Sequence, residues 1–169
     1  VLKELEADLG QYGYAGQIGQ SPTPPGGGMF KVDHFQILTV SLNPVNYLQT
    51  VRYWDKAGTK DGGAFTRGVK MSKLTNNRWL VTDVKGGQWA SEERERIIKE
   101  TAIADGTEVI VGIEQEPGSG GKESADNTIR NLAGFNIYKE RPTGDKAYRA
   151  DPYSVQVNNG NVMLVRADW

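Results

Sequence analysis

Four carboxylates stand where a hard cation could be held. Asp55 closes the Val-, Tyr- and Trp-rich run Tyr47 to Trp54, Glu114 and Glu116 lie at the end of the apolar run that begins at Glu108, and Asp61 sits in the turn Asp61-Gly62-Gly63. Side chains alternate along a strand, so Glu108, Ile110, Gly112, Glu114 and Glu116 are expected on one face and Val109, Val111 and Ile113 on the other. A carboxylate that follows Val111-Gly112-Ile113 is poorly hydrated and costly to leave charged without a positive partner. A divalent metal is one such partner. If Asp55 and Glu114 end neighbouring strands, their oxygens converge as Mg²⁺ or Mn²⁺ requires. Two such ions roughly 4 Å apart clamp the attacking and leaving oxygens of a phosphoryl displacement, which then needs no Ser, His or Cys nucleophile. The alternative is a set of exposed strand-end acids, with Asp61 stabilising its own turn.

Cations form the second pattern. Gly118-Ser119-Gly120-Gly121-Lys122 follows a strand pattern and precedes a helical one, but it is not a Walker A loop, because Glu123 stands where Ser or Thr is needed and Glu116 where the first glycine is needed. Its backbone N–H groups, with Lys122, suit an anion such as a DNA phosphate; a plain flexible loop is the alternative. Lys139, Arg141, Lys146 and Arg149 bracket Pro142 and Gly144 and are candidate phosphate contacts, which position a duplex without reading its bases. A solvated charged face is the competing explanation. Trp54, Trp79, Trp89 and Tyr53 are too scattered for a base-stacking platform and are assigned to packing.

The elements that must position these groups follow from periodicity and breakers. Leu2, Leu5 and Leu9 have helical spacing up to Gly10, and the Gly- and Pro-rich stretch to Phe30 cannot sustain regular structure, so residues 1–30 read as a helix tail and linker and residues 31–169 as the body. Strands are expected at Tyr47–Trp54, Phe65–Leu74 and Trp79–Val84, the last two joined at Asn76-Asn77. A helix capped at Ser91 should stop at Gly106, and the strand that follows it should run parallel to the first, joined to it by a right-handed crossover. Helices at Asn127–Leu132 and Asp145–Val157 flank a strand at Phe135–Lys139. The 169 residues contain no cysteine, which removes disulfide, zinc-thiolate and thiol chemistry, and the single His34 reads as structural. A net charge of −1 excludes nucleic-acid binding by bulk charge, and no apolar run is long enough to span a bilayer. The expectation is an intracellular α/β domain without membrane contact.

These segments resemble the nuclease domain of bacteriophage large terminases. Trp54-Asp55-Lys56-Ala57-Gly58-Thr59 looks like the first acidic motif of that family, and Ile113-Glu114-Gln115-Glu116-Pro117-Gly118-Ser119-Gly120-Gly121-Lys122 looks like the second. Arg141-Pro142-Thr143-Gly144-Asp145-Lys146 through Arg149-Ala150 is similar to a signature that follows them, and Pro24-Pro25-Gly26-Gly27-Gly28 to the linker from the ATPase motor. The resemblance implies an RNase H-like fold, a mixed sheet of three antiparallel strands followed by parallel strands and flanked by helices. It also implies metal-dependent endonucleolytic cutting of double-stranded DNA during viral genome packaging in the host cytoplasm, beside portal, small terminase subunit and the chain's own upstream ATPase domain. Asp55 and Glu114 carry over as metal ligands, with Glu116 the competitor for the second place. In that family a third acidic motif lies downstream of a tryptophan equivalent to Trp169, the last residue of this sequence. The competing function is a non-catalytic DNA-clamping or docking module of the same motor.

Overall fold

A computed structural model describes residues 28–57 and 63–169. Most of the expected helix tail and linker, and the candidate Asp61, lie outside the described residues. The strands are β1 (Gln36–Leu38), β2 (Tyr47–Asp55), β3 (Thr66–Leu74), β4 (Trp79–Gly87), β5 (Ile110–Glu114), β6 (Ile137–Glu140) and β7 (Val162–Val165); the helices are α1 (Ser91–Asp105), α2 (Ser119–Asn131) and α3 (Lys146–Asn158). They form one seven-stranded sheet in the order β1-β7-β4-β3-β2-β5-β6.

The meander β2-β3-β4 is antiparallel, with Asn77 taking the left-handed φ of 60° at the β3-β4 turn, a conformation asparagine tolerates. β5 returns through α1 to pair parallel to β2, and β6 returns through α2 to pair parallel to β5, as crossover connections require. β7 pairs parallel to β4 and β1 completes that edge; neither strand was expected, because each is only three or four residues long.

One face of the sheet holds the main core, where Trp54, Val111 and Ile113 pack with Ile98 and Ala102 of α1 and with Ala125 of α2, all nearly solvent-free. A second cluster, Leu74, Leu80 and Met163, closes the other end of the strands. Between them runs a charged row. Arg52 is 1 % exposed and donates to both carboxylate oxygens of Asp105 at 2.8 and 3.0 Å, while its ion pair to Asp83 spans 2.7 Å and Lys70 also reaches Asp105 at 2.9 Å. An aspartate in the last turn of a helix opposes the macrodipole, so α1 depends on these cations for its C-terminal end. Burial pushes the Asp105 carboxyl up, but the hydrogen bonds and positive fields of Arg52 and Lys70 together outweigh it and hold the group below its ordinary value.

The described residues divide into two compact units, residues 28–36 with Asp145–Asn161 and Ile37–Gly144 with Val162–Trp169; the cores and charged row belong to the second. In the first, Asp145 caps α3 by accepting from the Tyr148 N–H at 2.7 Å. The His34 Nδ1 lies 2.6 Å from the Asn158 carbonyl, and Asn158 also links to Lys31 and Met29. His34 is thus a structural donor, as its isolation in the sequence implied.

Replacing Arg52 with Met leaves Asp83 and Asp105 without their shared cation and should lower unfolding stability by about 3–5 kcal/mol in a denaturant titration. The depressed Asp105 carboxyl contributes stability that is fully present above its ordinary 3.8 and is lost as the pH falls through its folded value. Asp105→Asn should therefore flatten the acid limb of a stability-against-pH curve as well as lower its plateau.

Candidate functional site

The last register pair between β2 and β5 is Trp54 with Ile113, and each strand continues one residue further, to Asp55 and Glu114. Residues level with each other in a parallel pair share a face, so the two acids end adjacent strands side by side, on the face opposite Trp54 and Ile113. β6 extends the row, because Glu114 is level with Glu140. Glu140 was not singled out by sequence; its signal was the alternation Tyr138-Lys139-Glu140, which gives it the same face as Tyr138.

Two tyrosines lie one row behind the acids. Tyr53 and Tyr138 meet over Gly112 with ring centroids 6.4 Å apart, and a Cβ on Gly112 would come within 2.6 Å of the Tyr53 ring and 2.8 Å of Tyr138. Glycine is required there for the rings to approach. The Tyr53 hydroxyl donates to Glu140 Oε2 at 3.4 Å. Burial, and then the negative field of Glu140 and Glu114, hold the Tyr53 phenol well above its ordinary value, so it stays a neutral donor.

The position of Asp55 is fixed from below. Lys56, 7 % exposed, donates to the Ser124 carbonyl at 2.9 Å and to the Ser124 and Thr128 hydroxyls at 2.8 Å each, and it pairs with Glu95 at 3.6 Å. Burial pulls the Lys56 ammonium below its ordinary value. Buried Arg94 donates to the Ala57 carbonyl at 2.6 Å, and the Ala57 N–H donates to the Thr66 hydroxyl at 3.0 Å. Both helices and β3 therefore grip the two residues that follow Asp55.

Glu116 corrects the expected alternation. β5 stops at Glu114, and Glu116 lies beyond it, exposed in the connection to α2, so it does not continue the strand face. It still shares a cavity of about 220 Å³ with Glu114, Lys56, Arg94 and Gly121 at the C-terminal ends of the strands. The glycine-rich stretch also differs from expectation: α2 begins at Ser119 rather than Asn127, so Lys122 stands exposed in its first turn. Packing overrides glycine's poor helix propensity here, because a Cβ on Gly121 would lie 2.2 Å from the Glu116 carbonyl oxygen.

The candidate cations are spread over several elements. Lys139 is level with Ile113, hence on the opposite face from Glu114, and forms a short ion pair with Asp126. That bond, first, and the field of Lys139 hold the Asp126 carboxyl below its ordinary value. Arg141 is exposed just past β6, whereas Lys146 and Arg149 lie on α3 in the other unit.

Among the described residues no group of three or more His, Asp or Glu side chains is disposed to hold a metal ion; the fold aligns the pair Asp55 and Glu114. Such a pair fits Mg²⁺ in donor type and number, since that ion is commonly held by one or two carboxylates together with substrate phosphates.

No protein-family model matches the sequence, and no curated protein matches it. Solved structures do match by fold. A large terminase nuclease of the thermophilic phage G20c with bound magnesium aligns with a TM-score of 0.57 and 11 % identity, covering 82 % of this chain and 74 % of that one. A zinc-bound structure of the same nuclease aligns with a TM-score of 0.57 and 11 % identity over 83 % of this chain and 82 % of that one. The mixed sheet is RNase H-like, and its fold matches that of the phage G20c large terminase nuclease.

Lys56→Met removes the ammonium that joins β2 to both helices and leaves Glu95 without one of its partners. It should cost about 3 kcal/mol or more in urea unfolding. Gly112→Ala should displace both tyrosine rings, seen as a changed near-ultraviolet dichroism at little change in helix content.

Proposed function

We propose that this domain is the nuclease of a phage DNA-packaging terminase, cutting double-stranded DNA with little sequence preference by metal-dependent phosphodiester hydrolysis. The observation that carries this reading is the placement of Asp55 and Glu114 on adjacent parallel strand ends, in a fold shared with large terminase nucleases. Asp55 and Glu114 would hold the divalent ions, Mg²⁺ or Mn²⁺, with Glu116 and Asp61 as further oxygen donors. When bound, such ions supply an activated water and neutralise charge at the scissile phosphate.

The chain's own residues do the rest. Lys56 and Arg94 form a buried positive floor, paired with the half-buried carboxylate of Glu95. Tyr53, protonated throughout the neutral range, offers a hydrogen bond beside Glu140 without adding charge. Lys122, Lys139, Arg141, Lys146 and Arg149 are proposed phosphate contacts, with Lys139 needing to leave Asp126 to serve as one. The proposed setting is the host cytoplasm, with portal, small terminase subunit and an upstream ATPase domain as partners.

Asp55→Asn and Glu114→Gln should each lower Mg²⁺- or Mn²⁺-dependent nicking of supercoiled plasmid by at least about a hundredfold, while circular dichroism and thermal unfolding stay close to wild type. Full nicking by both variants would refute the assignment. Salt-sensitive DNA binding by the wild type with no metal-dependent cleavage would favour the clamping module instead.

A further inference from the structure

The row of strand ends extends past Asp55 in the other direction. Asp55 is level with Arg67 of β3, and Arg67 is level with Gly86 of β4, so Gly86, Arg67, Asp55, Glu114 and Glu140 cross five strands on one face. Arg67 is exposed, and no motif drew attention to it. Its guanidinium carbon sits 4.6 Å from the centroid of the Phe65 ring, which is itself 51 % exposed. The side chain then lies across Gly86, where a Cβ would come within 1.7 Å of Arg67 Nη1. A flexible arginine is thus held flat by an aromatic ring and a missing side chain. That arrangement uses one face of the guanidinium and leaves its in-plane N–H fork for a ligand.

We propose that Arg67 grips a backbone phosphate of duplex DNA flanking the cut, a role that rests on the nuclease reading above. A planar fork matches phosphate oxygens in pairs, and bracing on Phe65 lowers the entropy lost when it binds. The position selects which phosphate. The guanidinium reaches toward β4, two strand spacings or about 10 Å from the line of β2, too far to share a phosphate with Asp55 and Glu114. Arg67 is therefore a positioning residue that sets the duplex in register with the acids. It also supplies positive charge on the acids' own face, which Lys139, on the opposite face, does not.

The test measures binding of a short duplex in metal-free buffer against salt, beside cleavage in Mg²⁺. Arg67→Ala should weaken binding on the order of tenfold, lower the salt slope by about one, and raise KM far more than it lowers kcat. Gly86→Ala, which keeps the arginine but fills its bed, should reproduce much of that loss, and Arg67→Lys should restore the salt slope without full affinity. In duplexes carrying one neutral methylphosphonate link, the wild type should lose affinity at a flanking position where Arg67→Ala loses none. An unchanged affinity and salt slope in Arg67→Ala would overturn the proposal even if the wild type cleaves. If the wild type does not cleave but the slope and methylphosphonate effects hold, the phosphate contact stands and the nuclease reading falls.

Discussion

A buried ammonium governs the geometry of this protein. Lys56 enters the core directly after β2 and is claimed there by Ser124, Thr128 and Glu95, while Arg94 takes the carbonyl of Ala57. A charge in such a place is tolerable only when each donor finds a partner, and those partners come from α1 and α2. The strand end therefore cannot shift without unsatisfying both helices. Asp55, one residue earlier and on the other face, inherits that rigidity, and a side chain placed to act on a ligand needs such support from its neighbours.

Strand register does the remaining alignment. Parallel pairing of β2 with β5 and of β5 with β6 brings Asp55, Glu114 and Glu140 level, and antiparallel pairing with β3 and β4 adds Arg67 and Gly86. Strict alternation keeps the apolar Trp54, Val111 and Ile113 on the helix-covered face and the acids and tyrosines on the other. A slip of one residue would exchange the two sets, so the burial of Trp54 and Ile113 specifies where the carboxylates point. The charged row of Arg52, Lys70, Asp83 and Asp105 plays the matching part midway along the strands, holding α1 to the meander.

Much of this architecture was legible in the residues. The meander showed in β-rich runs divided by Asn76-Asn77 and the glycine turns, and α1 in its acidic first turn and the stop at Gly106. The closeness of Asp55 and Glu114 followed from the rule that a strand-helix-strand crossover returns parallel. What stayed hidden depended on partners remote in sequence. β1 and β7 are too short to show a period and exist because a neighbouring strand offers its edge. α2 begins in glycines because Gly121 fits against the Glu116 carbonyl, a contact no propensity reveals. Glu116 was placed by extending an alternation past the point where β5 ends. Lys56 and Arg67 look like ordinary surface cations in sequence, and only the packing separates a buried tie from a braced exposed fork.

The parallel pairing of β2 with β5 has a bearing on the life of the chain before it is complete. The meander joins residues close in sequence, whereas Asp55 and Glu114 are separated by β3, β4 and all of α1, and contacts across such a span form late because loop closure must precede them. On a ribosome, β2 through β4 can assemble while β5 is still unmade. The nascent intermediate would carry its first acid alone at a sheet edge, so the acid pair comes into being only with the finished sheet. Whatever chemistry the pair performs is thereby withheld from immature or unravelled copies, a safeguard that follows from chain topology and requires no separate inhibitor.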